Sequence, residues 1–398
     1  MRLLIQPNDL VLGGSSLNAV DLAATLQGRG HHVLVASPAG ELSSYLRELG
    51  LDHVLTPYSH GRGPDVPGVR AASAIARDFR PDVVHTWEFG PYLSAYFGIR
   101  LPRRAQLATV MSMEFPTCLP RTVPVTMGTK ALVQQVAKTH LAPVSLLEPP
   151  VDLTAERASE SECHALAQGL GLRADLPTVV IVSRLARALK AEGVIDTILA
   201  MGDLPPHARA QLLIVGDGDS RVDVVRAACH VNALAGQNLV ILAGSLTDPR
   251  PAYALADVVV GMGSSALRAM AFGKPVIVVG VDGFVKLVSP GTFPHFDREG
   301  MFGTGGGLDR RTELTRLLGE LLTQPARRRE LGGWGRDTVA ERYSLEACTT
   351  RLESLYRQTI SLSSRPLADA QQAVLTLAKT GPAALRAPYV RLRGVLQR

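Results

Sequence analysis

The sequence is short of the residues that staple small folds or hold metals. It has four cysteines in 398 residues, Cys118, Cys163, Cys229 and Cys348, and no two form a C-x-x-C pair. That dispersal argues against a zinc site and predicts no bound metal. Scattered cysteines are expected instead as buried apolar residues in a reducing compartment. Aromatics make up 5% of the chain and include two tryptophans. No RNA-binding motif with interleaved aromatics occurs, so no nucleic-acid partner is expected. Long apolar runs are missing too: no stretch approaches the roughly 20 residues that span a bilayer. The run Met1–Gln6 halts at Pro7, short of a secretory signal. A cytoplasmic protein is the expectation. The net charge of +6 suits phosphates or an anionic surface without singling out either.

What is present is length and alternation. A chain of 398 residues exceeds the roughly 250–300 at which single cores stop growing, so two domains are expected. Apolar strand-like runs alternate with helical segments. The first series has strands at Arg2–Ile5, His32–Ala36, Asp82–His85 and Gln106–Met111, with helices from Leu17, over Leu42–Leu49 and over Ala71–Phe79. Glu148–Asp152, with two prolines, reads as a stiff connector, and a polar helix is expected over Glu156–Leu170. A second series follows, with strands at Thr178–Val182, Gln211–Val215, Leu239–Ala243, Asp257–Gly261 and Pro275–Val279. Strands alternating with helices imply parallel pairing and a doubly wound α/β sheet in each half. The expected domains are residues 1–150 and 151–343. A helix over 344–360 returns to the first domain, and a basic amphipathic tail covers 361–398. In that tail Leu367, Ala370, Val374 and Leu377 share a helical face. A solvated terminus and a peripheral contact with a membrane or a protein are both open to it.

Ligands of such sheets sit beyond the carboxyl ends of the strands, so the strand-end residues are the candidates. Gly13-Gly14-Ser15-Ser16 opens the first helix, where backbone amides and the dipole favour a phosphate or a sugar edge. A plain serine-capped turn is the alternative. Arg184 and Lys190 flank the loop after the first strand of the second series and suit a diphosphate clamp. Gly216 ends the next strand. Gly263, Ser264 and Ser265 form an anion site at a helix N-terminus, with Arg268 one turn further on. His85 ends a strand in the first half and Glu88 follows it; both are catalytic candidates, as base or as sugar-hydroxyl ligand, the alternatives being a structural histidine and a solvated carboxylate. Glu114 is a further strand-end carboxylate.

Taken together these segments resemble the retaining glycosyltransferases of family 4, which have the GT-B fold of two Rossmann-like domains facing across a cleft. The resemblance rests on Gly13-Gly14, Gly30-His31-His32-Val33, Pro81–His85, Ser183-Arg184-Leu185 with Lys190, and Glu192-Gly193. Ile214–Gly218, Ala256–Val260, Ala269–Val276 and Tyr343-Ser344-Leu345 extend it. It implies a hexosyltransferase whose second domain binds a nucleoside diphosphate-sugar donor and whose first binds a small-molecule, lipid or glycan acceptor. Transfer would proceed with retention and without a cofactor or essential metal, the cations and backbone donors offsetting the departing charge.

The sequence departs from the family pattern at three places. The family's two glutamates, seven apart, fall at Gly261 and Arg268, and a guanidinium cannot accept ribose hydroxyl hydrogen bonds as a carboxylate does. Trp87 replaces a histidine and either stacks on a ligand or packs. The clamp loop is one residue longer. A non-catalytic nucleotide-sugar-binding subunit and a nucleotide-sugar epimerase on the same fold remain as alternatives.

Overall fold

The computed structural model describes residues 1–384 apart from 12, 58–63, 101–103, 113, 155–156, 188, 307–308 and 363–364. The sequence expectations that fall on Met113, Glu156 and the basic residues beyond 384 lie outside the described residues. The chain divides into two units, Met1–Pro150 with Leu345–Arg398, and Val151–Ser344.

In the first unit the elements run β1 (Arg2–Gln6), α1 (Gly14–Gly28), β2 (His32–Ser37), α2 (Ser43–Glu48), β3 (Asp52–Leu55) and α3 (Val66–Phe79). Then come β4 (Val83–Trp87), α4 (Phe89–Ala95, extended by a π turn over Tyr96–Arg100), β5 (Gln106–Val110), β6 (Val125–Met127), α5 (Lys130–Ala137) and β7 (Val144–Leu146). All seven strands pair in parallel, in the order β3-β2-β1-β4-β5-β6-β7. The period of two sorts the side chains between two helical layers. Leu3, Ile5, Val83 and Trp87 pack on one face, while Leu4 and Val84 pack on the other. Local chemistry sets the helix ends. Asp65 caps α3 by accepting from the Gly68 amide, and Thr129 caps α5 by accepting from Leu132.

The second unit begins with α6 (Glu160–Leu170), which starts four residues later than the sequence suggested. Its start is fixed by a capping box, in which Ser159 and Glu162 satisfy each other's backbone amides. There follow β8 (Thr178–Val182), α7 (Ala191–Gly202), β9 (Gln211–Val215), α8 (Arg221–Ala235), β10 (Val240–Gly244), α9 (Arg250–Leu255) and β11 (Val258–Gly261). The unit ends with α10 (Ser264–Ala271), β12 (Val276–Val279), β13 (Val285–Leu287), α11 (Phe293–Glu299), α12 (Arg310–Thr323) and α13 (Pro325–Arg342). The sheet order is β10-β9-β8-β11-β12-β13, parallel except for β13 at the edge. Val179, Ile181, Leu212 and Ile214 face one core, and Val180, Leu213 and Val215 the other. The entry and exit of this unit lie side by side: the Val151 amide donates to the Tyr343 carbonyl at 2.7 Å, and Val151 bridges Ser344 in parallel.

The C-terminal helices return to the first unit. In α14 (Leu345–Ser361), Cys348, Leu352, Leu355 and Tyr356 recur at helical spacing and enter the core formed with β1, β4 and α1. Helix α15 (Pro366–Ala384) is packed, not a solvated terminus. Tyr96 donates its hydroxyl hydrogen to the Asp369 carbonyl at 2.6 Å, and the Arg121 amide donates to the Gln372 side chain at 3.2 Å. Of the cysteines only Cys348 is buried, its thiol pushed up to about 12 by burial, and Cys229 is exposed. The expectation of four buried thiols is corrected accordingly. No described helix is long and apolar enough to cross a membrane.

Candidate functional site

Each sheet has one point where successive connections depart in opposite directions. In the first unit it lies between β1 and β4, and in the second between β8 and β11. Open sheets bind ligands at such points, and the candidate residues converge on both.

In the first unit the loop after β1 is organised by Asp9. It accepts from the Val11 amide at 3.2 Å and the Ser16 hydroxyl at 2.9 Å. Gly13 is extended and gives α1 no side-chain cap, so the amides of Gly14, Ser15 and Ser16 lack an intrahelical acceptor, while the Leu17 amide donates to the Gly13 carbonyl at 3.0 Å. Ser15 donates its hydroxyl hydrogen to Glu88 Oε1 at 2.8 Å, and the same oxygen accepts the Met111 amide at 3.1 Å. Glu88 thus ties together the loops after β1, β4 and β5. Its backbone is in the left-handed region, with φ 62°, a conformation that costs a non-glycine residue on the order of 1 kcal/mol or more. Burial pushes its carboxyl pKa up, against hydrogen bonds from Ser15, Met111 and Ser112 that pull it down. A half-buried, strained carboxylate held by donors from neighbouring loops has the features of a working group.

His85 is a different case. Its Nδ1 lies 2.8 Å from the Tyr356 hydroxyl and its Nε2 lies 2.6 Å from Thr109 Oγ1, which continues to Thr126 Oγ1 at 2.7 Å. Burial lowers its pKa to about 3, so the ring is neutral. With both nitrogens engaged inside the core, His85 holds α14 on the sheet and does not face a ligand. The alternation of β4 puts Trp87 on the same side, where it packs in the core 5.2 Å from the His85 ring. Packing is therefore the outcome for Trp87. Glu114 is exposed, and its backbone carbonyl accepts from Ser112.

In the second unit the loop after β8 is held against the loop after β9. The Leu185 amide donates to the Asp217 carbonyl at 2.9 Å, and the Leu185 carbonyl accepts from the Ser220 amide at 3.0 Å. Both glycines of Gly216-Asp217-Gly218 are obligatory for this approach. A Cβ on Gly216, at φ 137°, would lie 1.9 Å from the Ser183 carbonyl oxygen, and one on Gly218 2.4 Å from that of Leu185. Gly216 therefore shapes the loop. With Leu185 buried as the anchor, Arg184 is exposed at the strand end. Lys190 occupies the N-cap position of α7 without capping it and is half-buried, and burial, then the Arg184 charge, lower its pKa. Neither cation has an acidic partner among the described residues.

The same switch point carries the start of α10. Gly263, at φ 60°, precedes the helix and offers no side-chain cap, leaving the first-turn amides of Ser264 and Ser265 without intrahelical acceptors. Ser265 has a structural role: it donates to the Val182 carbonyl at 2.8 Å and accepts from the Tyr253 hydroxyl at 3.0 Å. That link fixes the α10 N-terminus beside the end of β8 and hence beside Arg184. Neither Tyr253 nor Asp9 was singled out in the sequence, because a tyrosine in a helix and an aspartate in a loop give no periodic signal. The Asp248 carboxyl in the loop after β10 is held below the usual range chiefly by its hydrogen bond from Arg250, with the Arg268 charge adding to the effect. At Gly261 a Cβ would meet Ser265 Oγ at 3.2 Å, so a larger side chain there would press on that link. Among the described residues no group of three or more His, Cys, Asp or Glu is placed to hold a metal ion.

Comparisons with known proteins agree with this architecture. Residues 12–116 match the family model described as Glycosyltransferase Family 4, and residues 176–302 match that of Glycosyl transferases group 1. No curated protein matches the chain in sequence. Among solved structures, a glycosyltransferase from Rickettsia africae is similar at 15% identity and a TM-score of 0.71, over 91% of this chain and 99% of that one. Anabaena HepE, solved in complex with UDP and also with UDP-glucose, is similar at 17% identity and 0.68, over 90% and 100%. WaaG, a glycosyltransferase of lipopolysaccharide biosynthesis, follows at 15% and 0.59, over 89% and 99%. One glycosyltransferase model thus matches within each unit, family 4 in the first and group 1 in the second, and the whole has the GT-B fold.

Proposed function

We propose that the protein transfers a hexosyl group from a nucleoside diphosphate-sugar, bound by the second unit, to an acceptor bound by the first. One observation carries the reading. Arg184 and the half-buried Lys190 interact as like charges, without an acidic partner among the described residues, beside the uncapped start of α10. Two adjacent like charges, one of them desolvated, are costly until an anion joins them. A diphosphate supplies the charge, and the guanidinium fork, the ammonium and the first-turn amides supply complementary donors. In transfer, the bond between the anomeric carbon and the diphosphate oxygen breaks and the acceptor oxygen bonds to that carbon. The acceptor proton leaves to the departing diphosphate, whose charge the two cations offset. This route uses no enzyme nucleophile and no metal and fits retention of configuration. The carboxylate poised to hold an acceptor hydroxyl is Glu88, with Ser15 beside it.

The test is binding and turnover of a panel of nucleoside diphosphates and their sugars, by calorimetry and by release of labelled sugar. Saturable binding that Arg184→Gln abolishes is the expected result, and absence of binding to every member of the panel overturns the reading. A second reading, a donor-binding subunit without turnover, is favoured by the lack of carboxylates at Gly261 and Arg268. Binding without sugar release or transfer is its signature.

A further inference from the structure

Helix α15 is inside out. The side chains it turns toward the first unit are Asp369, Ala373, Thr376 and Thr380, all buried. Those it turns outward include Leu367, Val374 and Leu377, which are 84%, 67% and 50% exposed, with Leu375 at 48%. An ordinary surface helix does the reverse. The register is not loose, because polar contacts fix it along its length. Asp369 accepts from the Tyr96 hydroxyl through its carbonyl and pairs with Arg100 through its carboxylate at 3.5 Å. Gln372 accepts from the Arg121 amide, and Lys379 donates to the Thr117 carbonyl at 2.8 Å. An apolar stripe is therefore held outward on a pinned helix.

The charge around that stripe is one-sided. Among the described residues of 100–141, which include the partners of α15, and of 361–384, seven Lys and Arg stand against two acids, Glu114 and Asp369. One of those acids, Asp369, is buried in its ion pair. Arg365 immediately precedes the helix and donates to the Leu141 carbonyl, Lys379 lies on it, and Arg121 donates its amide to Gln372. A second copy of the same face would bring like charges together. An apolar stripe bordered by cations complements a surface that is both apolar and anionic.

We propose that the outward face of α15 docks the first unit on a membrane carrying anionic lipid headgroups. Leu367, Val374 and Leu377 enter the headgroup boundary and the surrounding Arg and Lys side chains engage the lipid phosphates. The inference is independent of the donor chemistry and stands or falls without it.

The test is co-sedimentation of the full chain with vesicles of phosphatidylcholine alone or mixed with phosphatidylglycerol. The wild type is expected to sediment with the mixed vesicles, less so at high salt, and to stay in solution with the neutral ones. Leu367→Glu, Val374→Glu and Leu377→Glu combined should lower partitioning by at least about ten-fold. Because these side chains are exposed, the melting temperature should hold, which separates lost docking from lost folding. No sedimentation with mixed vesicles, or unchanged sedimentation of the triple variant, overturns the proposal. So does a wild-type dimer, seen by sedimentation velocity, that the triple variant dissolves while neither protein binds vesicles.

Discussion

Buried polar residues reach the carboxyl ends of the strands in the first sheet but not in the second. In the first unit, buried polar side chains reach the carboxyl ends of the strands: Gln6 on β1, His85 and Thr86 on β4, Thr109 on β5 and Thr126 on β6. In the second, the buried polar residues Thr178 and Gln211 open their strands, and the carboxyl ends are valine and glycine. The switch point of the first unit is therefore built from side chains, with a carboxylate at its centre. That of the second is built from backbone, with glycines that let two loops touch and cations set beyond them. Under the proposed function, the side-chain site would suit a hydroxyl-bearing acceptor and the backbone site a pyrophosphate.

Gly216→Val should break the second site most severely. The added Cβ would overlap the Ser183 carbonyl and φ is 137°, so the expected loss of stability is on the order of 4 kcal/mol or more, read by chemical denaturation. If the variant folds with normal stability, the claim that backbone contact builds this site fails.

His85→Phe tests the side-chain network of the first. Tyr356 and Thr109 each lose a buried partner, which should cost about 2–3 kcal/mol at neutral pH. The pH dependence has a definite sign. The folded ring resists protonation down to about 3, whereas an unfolded histidine protonates near 6.5. Between those values the unfolded chain holds the extra proton, so His85 makes stability fall as pH falls through that window. Denaturation midpoints measured across it should fall less steeply in the variant.

Lys190→Gln should reduce nucleoside diphosphate affinity by about 10- to 100-fold, measured by calorimetry. The unliganded protein should melt no lower than the wild type, because burial and Arg184 both disfavour that charge. Glu88→Gln is the smallest and the sharpest of these changes. The amide oxygen still accepts from Ser15 and Met111, so stability should move by less than about 1 kcal/mol while nucleotide affinity stays at the wild-type value. Equal loss of nucleotide binding in both variants would erase the distinction between the sites.

Much of the fold was legible because buried parallel strands are continuous apolar runs. Gln211–Val215 has the boundaries expected of it, and the remaining strands of the second series fall within a residue of theirs. The stretch from 112 to 147 was not legible. There β6 and β7 are three residues each and α5 has eight, too short for a period to emerge among prolines and threonines. The antiparallel β13 was hidden for the same reason. At the site, the glycine loops and the two cations could be read from strand-end position. That His85 points inward and Glu88 toward the loops could not, since it depends on which face α14 covers.

Pattern along the chain, then, determined the parallel sheets, the repeated α/β plan and the loops rich in glycine and cation, because hydrophobic period and turn chemistry act over a few residues. Packing between distant segments decided the rest. It made His85 a core residue under Tyr356, turned Ser265 into a tie to β8, and set α15 with its leucines outward. Those outcomes depend on partners tens to hundreds of residues away, and no local preference of the residues themselves encodes them.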